Sequence, residues 1–149
     1  MAWDYADINA CEWGRLTGAA WSAWENAYAP YSGFRVGAAL YLENDSIAHG
    51  CNVENASYSV TMCAERTALC SAVAQQGLRP RQILALAIVS DADMLTPPCG
   101  ACRQALAEFA DTLPILVVNR RQRKMCWLEN LLPDAFAARN LGQINPERS

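Results

Sequence analysis

Apolar and polar positions follow one another along this chain in blocks that predict helices and strands in turn. Over residues 4–28 apolar side chains recur at steps of three and four, which is typical of a helix with one buried face. Pro30 would end that helix. Two strands are predicted next, at residues 34–42 and 47–53, with a polar turn between them.

The second half of the chain predicts a further run of helices and strands. Residues 61–76 carry an alanine-rich apolar stripe that predicts a second helix, with Gly77 as its C-terminal cap. The later predicted elements are a buried strand at 83–89, a helix at 99–110, a strand at 115–118, a turn at 120–124 and a strand at 125–128. The order α-β-β-α-β-α-β-β-α predicts one α/β domain over residues 1–149, in three layers, with a five-stranded mixed sheet between helices.

Composition narrows the class of protein. A chain of 149 residues that is 52% apolar and 18% charged suits one globular domain. Its net charge of −3 argues against a nucleic-acid partner, and we interpret the basic run at 120–124 as a solvated hairpin turn. The chain has no apolar run near the ~20 residues that cross a bilayer and no basic, apolar signal segment at its start. We therefore predict a cytoplasmic protein with no membrane partner.

Three of the seven cysteines stand where a metal site would need them. Cys63 lies at the start of the second predicted helix, and Cys99 and Cys102 form a Cys-x-x-Cys pair at the start of the third. A helix start directs such sulfurs to one side, and its dipole favours thiolates. Three protein ligands leave one tetrahedral position of zinc open to water, as in catalytic sites. We predict one Zn²⁺ per chain, held by these three cysteines.

Two charged residues directly after Cys63 complete this interpretation. Glu65 is the predicted catalytic proton shuttle, which would take the proton that a metal-activated water loses and deliver it to a substrate ring. Arg66 would offset the net negative charge that three thiolates leave on Zn²⁺. In isolation, Glu65 could instead be an ordinary first-turn glutamate that favours the helix dipole, and Arg66 a solvated helix residue.

Other interpretations of the cysteines remain open on spacing alone. The Cys-x-x-Cys pair also suits a thioredoxin-like redox protein, although the pair there usually follows the first strand of the fold. The three cysteines could be small core residues. A structural site with four ligands is a third alternative. The only histidine, His49, lies far from a ligand-like spacing, so Cys51 would be the fourth ligand of such a site.

The combined motifs resemble the homotetrameric zinc-dependent cytidine deaminase family. The similar stretches are Cys63-Ala64-Glu65-Arg66, Pro98-Cys99-Gly100-Ala101-Cys102-Arg103-Gln104, and residues 31–40, 50–58 and 131–136. The resemblance implies hydrolytic deamination of cytidine or deoxycytidine, with release of ammonia, by a homotetramer with shared active sites. Alternatives are a deaminase of N4-substituted or antibiotic cytosine nucleosides and a polynucleotide cytosine deaminase.

The resemblance also implies which residues bind a nucleoside. Asn52 and Glu54 correspond to residues that hold the ribose 3′-hydroxyl, a task that suits an amide and a carboxylate. Phe34 corresponds to an aromatic residue against the cytosine ring. Without the resemblance, Asn52 and Glu54 would be interpreted as an exposed strand end, and Phe34 as core packing.

Four further residues complete this implied binding site. Ala56 and Ala64 match positions that offer backbone groups to the cytosine ring. Tyr58 and Phe136 match residues that line the pocket across subunit contacts. The motifs do not rank cytidine against deoxycytidine.

Overall fold

A five-stranded mixed sheet organises the computed structural model, which describes residues 10–142. The strands lie in the order β2-β1-β3-β4-β5. Only β3 and β4 are parallel, and the other three pairs are antiparallel. This confirms the predicted sheet. The strands are β1 Val36–Leu42, β2 Ile47–Cys51, β3 Ile83–Ser90, β4 Pro114–Val118 and β5 Arg123–Trp127.

Helices cover both faces of this sheet. They are α1 Ala10–Glu25, α2 Ala64–Gln76, α3 Gly100–Ala107 and the short α4 Leu128–Leu131. Successive side chains of a strand point to opposite faces. Ala39 of β1 accordingly belongs to the same core cluster as Leu16 of α1, whereas Leu40 belongs to the cluster on the other face, with Leu69 of α2 and Leu106 of α3. The predicted three layers are confirmed. No helix within residues 10–142 is long and apolar enough to cross a bilayer.

The first helix is shorter than the apolar pattern predicts. It ends at Glu25 rather than at residue 28, and residues 4–9 of the prediction lie outside the described part of the chain. Tyr28 donates its N–H to the Asn52 carbonyl at 3.0 Å and accepts the Glu54 N–H at 2.8 Å. These bonds join the chain just after α1 to the loop after β2. Because Tyr28 pairs with that loop, the helix does not continue to residue 28 as the apolar pattern predicts.

The second helix begins three residues later than the pattern predicts. Met62 and Val53 exchange two backbone hydrogen bonds of 2.9 Å, and this bridge keeps Met62 extended. Cys63 is therefore the residue that precedes the first turn of α2. At the other end Gly77 adopts the left-handed conformation, with φ of 67°, and caps the helix as predicted. The third helix ends at Ala107 rather than at 110.

The basic run lies in the hairpin between β4 and β5, although its last two residues, from Arg123, already belong to β5. The guanidinium carbon of Arg120 lies 3.9 Å from the centroid of the Trp21 ring. Arg121 forms an ion pair with Asp93 at 3.6 Å. Arg120 and Arg121 of the basic run therefore both contact side chains of the protein itself.

Gly50 lets α2 pack directly on β2. A Cβ added at this buried position would lie 2.4 Å from the backbone nitrogen of Ala68 and 2.8 Å from the backbone carbonyl carbon of Thr67. Such distances are far inside van der Waals contact, so only glycine fits here. The close approach sets the height of α2 above the sheet, and with it the position of Cys63.

Candidate active site

The starts of α2 and α3 bring three cysteine sulfurs together. The Sγ atoms of Cys63 and Cys99 are 3.8 Å apart, and those of Cys63, Cys99 and Cys102 all lie within 4.8 Å of one another. Sulfurs that bind one tetrahedral zinc ion at ~2.3 Å are about 3.8 Å apart. Within residues 10–142 no other group of three cysteine, histidine or carboxylate side chains meets, and this group includes neither His49 nor Cys51. The geometry fits a three-cysteine zinc site and not the four-ligand alternative.

The charges at the three sulfurs also suit a divalent cation. A hydrogen bond from the Cys102 thiol and another from Arg66 lower the pKa of Cys63 to about 5. The same contact with Cys63, together with burial, raises the pKa of the Cys102 thiol above its ordinary value. One thiolate is therefore favoured, but a second beside it is repelled. A bound Zn²⁺ removes that repulsion, because its charge lies between the sulfurs.

Glu65 lies in the first turn of α2 with its side chain buried, at 5% exposure. Burial raises the pKa of its carboxyl group, and the nearby Cys63 sulfur raises it further. The interaction with the Cys102 thiol acts the other way and lowers the pKa of the same carboxyl group. An ordinary first-turn glutamate would be solvated. The structure instead places this carboxyl beside the metal ligands, where a proton acceptor could act on a water molecule.

Arg66 reaches back over the start of its own helix. Its Nη2 atom donates to the Thr61 carbonyl at 3.4 Å and to the Cys63 sulfur at 3.7 Å. Its Nε atom is buried. These contacts bring a positive charge against the Cys63 sulfur, so Arg66 is not a freely solvated helix residue.

Asn52 follows β2 and is buried, and its side chain holds the segment that enters β1. Its Oδ1 atom accepts the Val36 N–H at 2.9 Å. Its Nδ2 atom donates to the Phe34 carbonyl at 2.7 Å. The amide thus fixes the backbone next to Phe34 with one of its two Nδ2 hydrogens, which leaves the other for a further acceptor.

Glu54 is held by the turn that precedes β1. Its carboxylate accepts the backbone N–H groups of Tyr31 at 2.8 Å and Ser32 at 3.2 Å. It also accepts the hydroxyl group of Ser32. The Ser32 hydroxyl, followed by these backbone groups, lowers the pKa of Glu54. Glu54 is therefore an ionised carboxylate at neutral pH.

A cavity of about 330 Å³ lies beside this carboxylate. Its lining residues are Tyr31, Ser32, Glu54, Tyr58 and Thr61. Thr61 connects the cavity to the metal site, because its carbonyl accepts the hydrogen bond from Arg66. Sequence reasoning did not single out Tyr31, Ser32 or Thr61. The available signals were the Tyr31-Ser32-Gly33 turn before β1 and the position of Thr61 just ahead of the first cysteine.

The remaining predicted residues lie around this site at different depths. Ala64 is fully buried at the start of α2, whereas Ala56 is exposed. Tyr58 is 74% exposed, and the centroid of its ring lies 5.8 Å from that of Tyr31. Phe34 and Phe136 are exposed, and neither belongs to the lining of the 330 Å³ cavity. Within one chain, the hydrogen bond from Arg66 to Thr61 links the cysteines and Glu65 to the Glu54 cavity. Phe136 of the same chain does not line that cavity.

Comparison with known proteins decides the family. The profile of the cytidine and deoxycytidylate deaminase zinc-binding region matches residues 14–117, which include Glu65 and all three cysteines. This chain belongs to that family. The predicted resemblance to this family is confirmed. Zinc as the cofactor is confirmed as well, since the family model is that of a zinc-binding region and the three cysteines are positioned to bind a metal ion.

Individual relatives extend the match over most of the chain. The cytidine deaminase of Sporosarcina psychrophila is 47% identical over 119 residues, which are 78% of this chain and 85% of that protein. The cytidine deaminase of Mycobacterium tuberculosis H37Rv is 41% identical over 130 residues, 87% of this chain and 93% of its own. The crystal structure of cytidine deaminase from Burkholderia pseudomallei superposes with a TM-score of 0.80 at 46% identity, over 87% of this chain and 100% of that one.

Proposed function

We propose that this deaminase-family chain converts cytidine and deoxycytidine to uridine and deoxyuridine, with release of ammonia, in pyrimidine salvage. The observation that carries the proposal is the buried Glu65 carboxyl, which lies beside the sulfurs of Cys63 and Cys102. The relatives at 41% to 47% identity, each a cytidine deaminase by name, support the same reaction.

The side chains at the start of α2 divide the chemistry among them. Cys63, Cys99 and Cys102 would hold a zinc ion, which would supply the Lewis acidity that makes a water molecule a stronger acid. Glu65 accepts a proton from the attacking water and delivers it to N3 of the cytosine ring as the water oxygen adds to C4. Glu65 then takes the proton of the new C4 hydroxyl group and passes it to the amino group. The C4–N bond breaks, the C4 carbonyl forms, and ammonia leaves.

The Glu54 cavity suits a nucleoside better than a nucleotide. In this proposal Asn52 and Glu54 bind the ribose 3′-hydroxyl, and Phe34 lies against the cytosine ring, which receives backbone hydrogen bonds at Ala56 and Ala64. A volume of about 330 Å³ is at the lower end of small-molecule pockets. No described residue of its lining is Lys or Arg, and the ionised Glu54 repels phosphate. A 3′-phosphate or a continuing nucleic-acid strand would therefore bind poorly.

An ultraviolet assay tests this substrate class directly. Cytidine and deoxycytidine should react. Free cytosine should react poorly, because it lacks the sugar contacts that position C4. Efficient deamination of a single-stranded oligonucleotide, or reaction with N4-substituted cytidines only, would contradict the proposal and favour one of the alternatives.

We further propose a homotetramer in which neighbouring chains complete each site. Tyr58 and Phe136 are 74% and 59% exposed, and aromatic side chains at such exposure mark contact surfaces when they cluster. Each would line the pocket of a neighbouring subunit, as symmetry allows. Co-expression of Glu65→Ala chains with Phe136→Ala chains should restore activity above either variant alone. A fully active monomer, or no recovery in verified mixed tetramers, would refute shared sites.

Residues 1–149 are proposed to act as one domain in the cytoplasm. The described cysteines support the location, because none of them is in a disulfide, as is usual in a reducing compartment. Cell fractionation with an antibody to the chain tests it. Recovery of the protein outside the cytosolic fraction would contradict this proposal.

A further inference from the structure

Two adjacent residues of α3 hold the segment that follows α4. Arg103 donates from Nη1 to the Leu131 carbonyl at 2.8 Å. Gln104 donates from Nε2 to the Phe136 carbonyl at 2.8 Å. Arg103 also donates from Nε to the carbonyl of Pro98, the residue before Cys99, at 2.8 Å. One turn of α3 is thus joined both to the metal-ligand loop and to the Phe136 segment.

The Phe136 segment has little other support. α4 ends at Leu131, and Leu132 makes the last backbone hydrogen bond back to that helix, at 2.9 Å. Within the described chain, residues 133–136 make no backbone–backbone hydrogen bond. Asp134 adopts the left-handed conformation, with φ of 56°, as aspartate often does in turns. The position of Phe136 therefore depends on side-chain bonds from α3.

We propose that Gln104 is a positioning residue for substrate binding, because it fixes the Phe136 backbone on α3, the helix that contains Cys102 and follows Cys99. Arg103 holds the near end of the same segment, so adjacent residues of α3 bind both the Phe136 backbone and the Pro98 carbonyl beside Cys99. The inference rests on the proposed function in one respect, which is that Phe136 lines a substrate pocket. Gln104 itself touches no reacting atom.

The direct test compares Gln104→Ala with Gln75→Ala. Gln75 is an exposed glutamine near the end of α2, so the control makes the same helical substitution away from the site. Loss of one hydrogen bond should raise the KM for cytidine about two- to tenfold in Gln104→Ala. Its kcat should change less than its KM, and its zinc content should stay at the wild-type level. Gln75→Ala should leave all three values unchanged.

Combination with Phe136→Ala separates positioning from general weakening of the fold. If Gln104 acts through Phe136, the double variant should bind cytidine no more weakly than Phe136→Ala alone. Independent effects on KM that multiply in the double variant would overturn the inference. Zinc loss in Gln104→Ala would overturn it as well, because the residue would then support the ligands rather than Phe136.

Hydrogen exchange supplies a readout that does not depend on activity. Amides of residues 131–137 should exchange faster in Gln104→Ala than in wild type or Gln75→Ala. Unchanged exchange would refute the anchoring contact even if KM rises. If exchange is faster in Gln104→Ala but the KM of Phe136→Ala is normal, Gln104 anchors the segment, and the proposed role of Phe136 in substrate binding is wrong. Absence of cytidine deamination by the wild type would refute the proposed function, and exchange would still decide whether Gln104 anchors the segment.

Discussion

A single methyl group at Gly50 should disturb both the stability of the fold and the metal site. The added Cβ of Gly50→Ala would lie 2.4 Å from the backbone nitrogen of Ala68 in α2. Because the nearest atoms belong to the backbone, no change of rotamer relieves the clash. The helix would have to withdraw by about 1 Å to restore ordinary contact.

The expected magnitude follows from this displacement. Overpacking of a core costs about 1–3 kcal/mol and occasionally more, and a helix that moves as a body belongs at the upper end of that range. For a chain of this length a loss of about 3 kcal/mol lowers Tm by roughly 6–12 °C. Cys63 and Glu65 begin the same helix, and a 1 Å misplacement of catalytic groups lowers turnover by about 10²-fold. Zinc affinity and kcat should therefore fall together with Tm.

Thermal unfolding, zinc release to a chelator and cytidine turnover measure the three effects. Gly14→Ala is the matched control, because this exposed glycine of α1 has open space around its Cβ position. Alanine there should raise stability by about 0.5–1 kcal/mol. If Gly50→Ala unfolds within about 2 °C of wild type and retains its zinc, the close packing of α2 on β2 does not set the metal site.

Three further changes test the site and the fold. Glu65→Gln should retain zinc and lose at least ~10²-fold in turnover, and near-normal turnover would exclude Glu65 as the proton shuttle. Cys99→Ala should lose zinc and activity together, whereas Cys70→Ala, at an exposed position of α2, should retain both; metal analysis decides. Burial and the carboxylates of Asp45 and Glu12 raise the pKa of Tyr41 from 10.0 to about 12. Because the unfolded chain loses this proton first, the free energy of unfolding should fall as pH rises through this range. Urea unfolding of Tyr41→Phe should show a weaker decline, and an equal decline would assign the pH dependence to other groups.

The sequence predicts best what local spacing determines. The strands β1 and β3 read as apolar runs because both of their faces are covered by helices. The three cysteines could be recognised because each stands at or near a helix start, where spacing along the chain fixes the direction of a side chain. These features need no knowledge of distant contacts.

The features that the sequence misses depend on pairing between distant segments. Met62 reads as helical but pairs with Val53, and Tyr28 pairs with the same loop. Tyr31 and Ser32 line the cavity because both hydrogen-bond Glu54, 23 and 22 residues further along the chain. Their own periodicity carries no sign of that partner.

The position of the cysteines also gives the metal a mechanical role. Cys63 and Cys99 are 36 residues apart in sequence, yet their sulfurs lie 3.8 Å apart. A cation that ties them closes a loop which contains α2 and β3. The unfolded chain does not preserve this site, so the metal binds only the folded chain and adds its binding free energy to the stability of the domain. Zinc supply would then govern the lifetime of this protein against proteolysis, so metal starvation would deplete the chain itself along with its activity.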